Sequence, residues 1–394
     1  MNHPLSLVCR RSKRVVLGFA GTIAPLSAHA HVKWFSTIAD TRASPLTPLE
    51  AISSPLFIRV SLVAAVVMLV VALIDGRISH RSNQLIRLSA LLEGRVEDFI
   101  SPLLRVGVAV YFVAGVLYFH DLPIILTPEL KTTAIWVPML QLAIAATALF
   151  RRTVLMAALG IVGLYVYAVS TYGWFHMLDY PVFIGIAICL AMGSVRGVDK
   201  RDLMLTILRV TTGFTLLWAG VEKWLYPEWA YQLLEHDLHV ILMGFSPEFV
   251  VLGAGFVEFC LAFVLMSGRF ASQVASAVFL TMMILAIPLA GTIDLIGHLP
   301  FIVVLLILAT TRNSVVHDRQ MPVSRMDAIS HAFSFGVTIL GSIGAYYISH
   351  EFAYTGSRPI NWTMTLLASC LVALLMSRIL ETAPRSLTTL RSKS

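Results

Sequence analysis

The sequence predicts an all-α fold, a polytopic transmembrane helical bundle of about eleven spans. Three observations carry this. Hydrophobic residues make up 57% of the 394 and charged residues only 13%, where soluble domains carry about a quarter charged. The apolar residues come in continuous runs of about 17 to 22, long enough to cross roughly 30 Å of hydrocarbon at 1.5 Å per residue. Those runs do not alternate with polar residues, so they read as helices and not as barrel strands.

Residues 1–30 read as a signal peptide. Arg10, Arg11, Lys13 and Arg14 form its basic start, Val15 to Leu26 its apolar stretch, and Ala28-His29-Ala30 fits the small-x-small rule for cleavage. Cleavage there makes His31 the first residue. Residues 31–98 then hold an outer N-terminus, a first span near 56–74 and an amphipathic stretch, where Leu85, Ile86, Leu88, Leu91 and Leu92 are interspersed with Arg81, Arg87 and Arg95. Further spans are expected near 100–119, 134–150, 154–174 and 181–195 within a unit at 99–196. A second unit at 197–312 has spans near 204–221, 249–267, 271–290 and 299–311. Residues 313–394 hold two more, near 330–349 and 362–377, and a tail.

With the N-terminus outside, alternation puts seventeen lysines and arginines in cytoplasmic segments and five outside. The positive-inside rule therefore agrees with the leader and predicts a bacterial inner-membrane protein with a cytoplasmic C-terminus. The formal charge of +7 lies in the leader and these loops, so the lipid bilayer is the expected partner and nucleic acid is not. Cys189, Cys260 and Cys370 each fall in an apolar run with no CxxC pair, which makes them buried hydrophobes and not a redox relay.

Laid on itself at an offset of about 105 to 119, the chain brings similar features together in one order. Arg105-Val106 and Ala114-Gly115-Val116 match Arg209-Val210 and Ala219-Gly220-Val221. Gln141 and Arg152 match Glu258 and Arg269, and Asp179-Tyr180-Pro181 matches His298-Leu299-Pro300. Four spans per unit make the copies parallel repeats, unlike the inverted repeats common in transporters.

The second unit, with its RVTTGFTLLWAGVEKW opening, its FVEFCLAFVLMSG helix and its DLIGHLP turn, resembles the DoxX-like membrane proteins, and the first unit resembles a degenerate copy. The resemblance implies four-helix bundles with Arg209, Gly220, Lys223, Glu258 and Gly268 at family positions. It also implies an electron-transfer neighbourhood, quinone-linked or supporting a metalloenzyme, by fold-level analogy.

Ionisable groups inside a bilayer are costly and usually functional. Glu258, near mid-membrane, is the candidate proton acceptor for a quinol, or else a buried partner of Arg209 or a neighbouring helix. Lys223 and His298 are expected at the outer mouth, with Asp294 four residues before His298 to orient its ring. These four, Glu258, His298, Lys223 and Arg209, are the candidate catalytic set.

Histidines cluster outside: His31, His120, His176, His236, His239, His298 and His350, against His80, His317 and His331 inside. An N-terminal His31 offers an amine and a ring nitrogen to copper, and AHAHVKWF resembles the cleavage region of periplasmic copper-binding proteins. It is equally the first residue the peptidase leaves. His236 and His239, in Glu235-His236-Asp237-Leu238-His239, stand three apart and complete the candidate metal ligands, or form a solvated face. Copper and quinone are thus the candidate cofactors, and a periplasmic redox or metal-binding protein the candidate partner. A non-catalytic membrane anchor is the third reading. No phosphate-binding glycine loop, HExxH or nucleophile elbow occurs, which argues against nucleotide hydrolysis.

Overall fold

The computed structural model describes residues 32–34, 40–97, 100–195, 200–236, 242, 244–268, 270–311 and 325–355. Side chains are described throughout these segments except at 32, 79–97, 232–233, 235–236, 289 and 325–327. Twelve α-helices are used below: α1 Pro48–Ser53, α2 Pro55–Glu97, α3 Ile100–Tyr118, α4 Trp136–Leu149, α5 Val154–Tyr172, α6 Pro181–Ser194, α7 Arg201–Leu225, α8 Pro227–His236, α9 Pro247–Ser267, α10 Phe270–Pro288, α11 Ala290–Thr310 and α12 Arg325–Tyr354. The chain kinks where α10 gives way to α11, with Gly291 in the first turn of α11 at φ 79°. Among the described residues there is no sheet, only one isolated bridge between Ile124 and Lys131.

Among the described residues eight helices are long and apolar enough to cross a membrane: α2 over Pro55–Ile78, α3, α5, α7, α9, α10, α11 and α12 over Ala328–Tyr354. The protein is a multi-pass helical membrane protein. Helices α4 and α6 are apolar but have 14 residues each, about 21 Å of helix and short of the hydrocarbon thickness. Ten of the eleven expected spans thus coincide with apolar helices, eight of them of spanning length. The eleventh, 362–377, lies outside the described residues.

Three boundaries differ from the sequence reading, each for a physical reason. Helix α7 runs on to Leu225, past the expected end at 221, because Glu222 and Lys223 find buried partners and need not leave the bundle. Helix α11 begins at Ala290 and not at 299, because Asp294 and His298 pair with each other inside it. Helix α2 is continuous through 97, so the amphipathic stretch is part of one 43-residue helix.

Local chemistry sets several starts and stops. Thr47 and Glu50 form a reciprocal capping box on α1. Ser246 caps α9 ahead of Pro247, and Pro181 opens α6. Gly173, at φ 91°, closes α5.

The α3–α4 connection, residues 119–135, folds inward: Ile124, Ile125, Leu126, Thr127 and Leu130 are buried. Irregular backbone survives at such depth only where its polar groups are satisfied. Gln141 Nε2 donates to the carbonyls of Ile124 (2.8 Å) and Ile125 (3.0 Å), and the Tyr111 hydroxyl donates to that of Leu126. Ile125 N–H donates to Leu130 O at 2.7 Å.

Helices α3 to α6 pack in sequence order, α6 then lies on α7, and α11 returns to α3. The two seams are alike. A Cβ on Gly107 of α3 would lie 2.6 Å from Val303 of α11, and one on Gly185 of α6 would lie 2.0 Å from Thr211 of α7. In the self-match Gly107 corresponds to Thr211, and Gly185 is one residue from the counterpart of Val303. Small residues let backbones approach where lipid supplies no hydrophobic drive between helices. Helices α2 and α12 pack on each other and flank α9 and α7; Phe335 of α12 meets Phe259 and Phe263 of α9.

Candidate functional site

One end of the bundle gathers charge. It is built by the α3–α4 connection, the short 3-10 turn His176–Asp179, the last turns of α7 and α12, and the N-terminal segment. Residues 41–46 lie across this end: His350 Nε2 donates to Thr41 O at 3.1 Å, Tyr226 donates to Ala43 O at 2.6 Å, and Leu46 N–H donates to Leu225 O at 3.0 Å.

Lys33 enters the centre. Its ammonium is 2.5 Å from Asp179 Oδ2 and 2.5 Å from Glu222 Oε2, with all three side chains at least 88% buried, and it stands 5.5 Å over the ring of Trp229. Beside it Glu129 Oε1 is 2.8 Å from His176 Nε2 and accepts from the Tyr180 hydroxyl. His176 Nδ1 is 3.4 Å from Thr41 Oγ1. The next residue, Trp34, packs against His298 with the rings tilted by 47° and their centroids 4.8 Å apart, its ring filling the space where a side chain on Gly297 would stand. Adjacent N-terminal residues therefore address the two matched positions, Lys33 on Asp179 and Trp34 on His298.

Burial disfavours charge here, yet Lys33 is held above its ordinary value because Asp179, Glu222 and Glu129 outweigh it. Burial likewise pushes Glu129 up, but His176, Lys33 and the Tyr180 hydroxyl win, and its carboxyl lies below the usual range. The Tyr180 hydroxyl goes up, through burial and then its acidic neighbours.

Deeper in the bundle Lys223 Nζ is 2.7 Å from Glu258 Oε2, both nearly inaccessible. The geometry places Lys223 inside α7, not on an outer loop, and makes it the partner of Glu258. Arg209 is not that partner. Its guanidinium donates to the carbonyls of Leu265 (3.1 Å) and Gly268 (2.8 Å), and so closes the C-terminus of α9. His298 Nδ1 is 3.0 Å from Asp294 Oδ1, the pairing the spacing implied, and both side chains are buried within α11.

Of the candidate metal ligands, His31 and His239 lie outside the described residues, and His236 ends α8 with its side chain outside them. Among the outer histidines His120 is exposed beside Asp121, while His176 and His350 join the charged end. Sequence reasoning did not single out Lys33, Glu129 or Tyr180, and took Asp179 only as a counterpart of His298. The available signal was the matched Asp179-Tyr180-Pro181 turn; nothing local ties Glu129 or Lys33 to it. No family model matches the chain, and no curated protein or solved structure matches it.

Proposed function

We propose that this chain is a DoxX-like, redox-associated protein of a bacterial inner membrane, which opens to the periplasm at the Lys33 end and moves protons between that face and Glu258 in quinone-linked chemistry. The observation that carries it is the connected set of buried ionisable side chains. Lys33 joins Glu222, its neighbour Lys223 joins Glu258, and Trp34 leads from Lys33 to His298 and Asp294. Such groups are expensive in a bilayer and are retained where protons or ions move.

Glu258 is suited to the acceptor role. One oxygen is held by Lys223, and the other, Oε1, is buried without a hydrogen-bond partner, a position from which it takes a proton. A quinol losing two electrons must release two protons. Glu258 takes the two protons one after the other, passing each through His298 or the α7 charges to the Lys33 end before accepting the next, while the two electrons leave to a soluble periplasmic metalloprotein. A lateral apolar groove of about 580 Å³ between α2, α9 and α10, lined by Met68, Val71, Phe256, Cys260 and Val274, lies along the helix that carries Glu258 and suits a prenyl chain.

The test is quinol oxidation by the purified protein in liposomes with a soluble electron acceptor. Glu258→Gln keeps an acceptor for Lys223 but cannot exchange a proton, so it should abolish turnover at normal abundance. Intact turnover, or lowered abundance alone, would assign Glu258 to structure. Reporter fusions at exposed Asp121 and at Thr355 should report periplasm, and fusions after Arg152 and Arg319 cytoplasm; a reversed pair would overturn the orientation.

A further inference from the structure

We propose that Glu129, His176 and Asp179 form a binding site for a divalent transition metal such as Zn(II) or Mn(II), and that Lys33 is the cation that holds Asp179 while no metal is bound. The site uses none of His31, His236 or His239, and it meets the proposed proton path only at Lys33, which pairs with both Asp179 and Glu222.

One donor atom from each of the three residues lies within 4.8 Å of the others. Three ligands on one tetrahedral zinc, at about 2.0–2.2 Å from it, stand roughly 3.3 Å apart, so a contraction of up to about 1.5 Å completes the set. An imidazole with two carboxylates suits borderline and hard divalent ions and not Cu(I), which prefers sulfur.

Two further observations point to a cation. Glu129 is 91% buried, and its second oxygen, Oε2, has no hydrogen-bond partner while Oε1 is taken by His176 and Tyr180. A buried carboxylate oxygen left so is costly. Three carboxyl groups, those of Glu129, Asp179 and Glu222, also gather around the single ammonium of Lys33.

The surroundings are those of a ligand set. With Nε2 on the metal, His176 turns Nδ1 toward Thr41 Oγ1 at 3.4 Å, which in turn is 3.2 Å from the Tyr354 hydroxyl; an outer hydrogen bond of this kind fixes the ring of a metal-bound histidine. Lys33 bridges Asp179 and Glu222 at equal distances, so it releases Asp179 to the metal and stays with Glu222. Metal binding and the seating of the N-terminal segment are thereby coupled.

The experiment is isothermal titration of the purified full chain with Zn(II) and Mn(II), in a background of His31→Ala, His236→Ala and His239→Ala, with Mn(II) also followed by electron paramagnetic resonance. One metal per chain is expected. His176→Ala and Asp179→Asn should each weaken it at least tenfold, and Lys33→Met, which keeps every ligand and removes the competing cation, should tighten it at least tenfold. Two results would overturn the site. One is affinity unchanged in both His176→Ala and Asp179→Asn, and the other is no binding in both the background protein and Lys33→Met. Circular dichroism melts on each variant show whether it is folded, and Lys33→Met decides alone if the ligand variants are not. Because binding and not turnover is read, a failed quinol assay leaves this result standing.

Discussion

Arg105 and Arg209 occupy matched positions and do the same work, whereas Gln141 and Glu258 occupy matched positions and do not. Arg105 donates to Leu149 O at 2.9 Å, closing α4 as Arg209 closes α9. Both arginines satisfy carbonyls at the C-terminal end of a later helix of their own unit, α4 for Arg105 and α9 for Arg209, a need that any helix end has. Gln141 uses its amide as a double donor to hold the inward-folded 119–135 backbone, while Glu258 accepts from Lys223. Matched helices therefore keep the residues that close them and diverge in the residues that face the interior, where each unit has its own structure to satisfy. The Gln141 amide does a task that a carboxylate cannot, so at this position the first unit holds a folded connection where the second holds an ion pair.

The largest effect should come from breaking the ion pair on the Glu258 side. Lys223→Met leaves a buried carboxylate alone and should cost about 3–5 kcal/mol, read as a lowered melting temperature in detergent. The double variant Lys223→Met/Glu258→Met should recover most of that loss. If the double variant melts as low as the single one, the pair is not what stabilises the α7–α9 contact.

Gln141→Glu converts the first unit toward the second and should cost about 2–4 kcal/mol, because two buried carbonyls lose their donor. Glu258→Gln should cost less, since the amide oxygen still accepts from Lys223. Equal losses in the two variants would erase the distinction drawn between the units.

The two seams between units allow a smaller test. Gly185→Ala places a Cβ against Thr211 and should cost about 1–3 kcal/mol, partly recovered by Thr211→Gly. Gly163, whose Cβ would meet nothing within 4 Å, serves as the control, and Gly163→Ala should be near neutral or slightly stabilising. A similar loss at both glycines would show that helix propensity and not the seam is being read.

The smallest effect concerns pH at the Lys33 end. The Glu129 carboxyl lies below its ordinary value of 4.5, so its stabilisation is whole above about 4.5 and is lost as pH falls through the lower folded value. Lys33 lies above its ordinary 10.5, so its stabilisation is whole below that and is lost only at more alkaline pH. Unfolding midpoints should then be insensitive to these two groups between pH 5 and 9, and Glu129→Gln should reduce the acid-side loss. A Glu129→Gln profile that matches the parent at low pH would remove Glu129 from that transition.

Sequence alone determined the class of the protein and the places of its helices, because a bilayer imposes one requirement on every span: enough consecutive apolar residues with all backbone groups paired within the helix. Ten apolar helices could be read this way, and so could the Asp294–His298 pair, which is a matter of spacing along one helix. Hydropathy misjudged the ends of α7 and α11 because it counts Lys223, Asp294 and His298 as polar, whatever partners they find. Which partners they find was decided only by the tertiary structure. Lys223 meets Glu258 thirty-five positions away, Lys33 meets Asp179 one hundred and forty-six positions away, and Glu129 joins them from a connection whose burial depends on Gln141. Charge pairing in a low-dielectric interior is a short-range matter of a few ångströms, and separation along the chain carries no record of it.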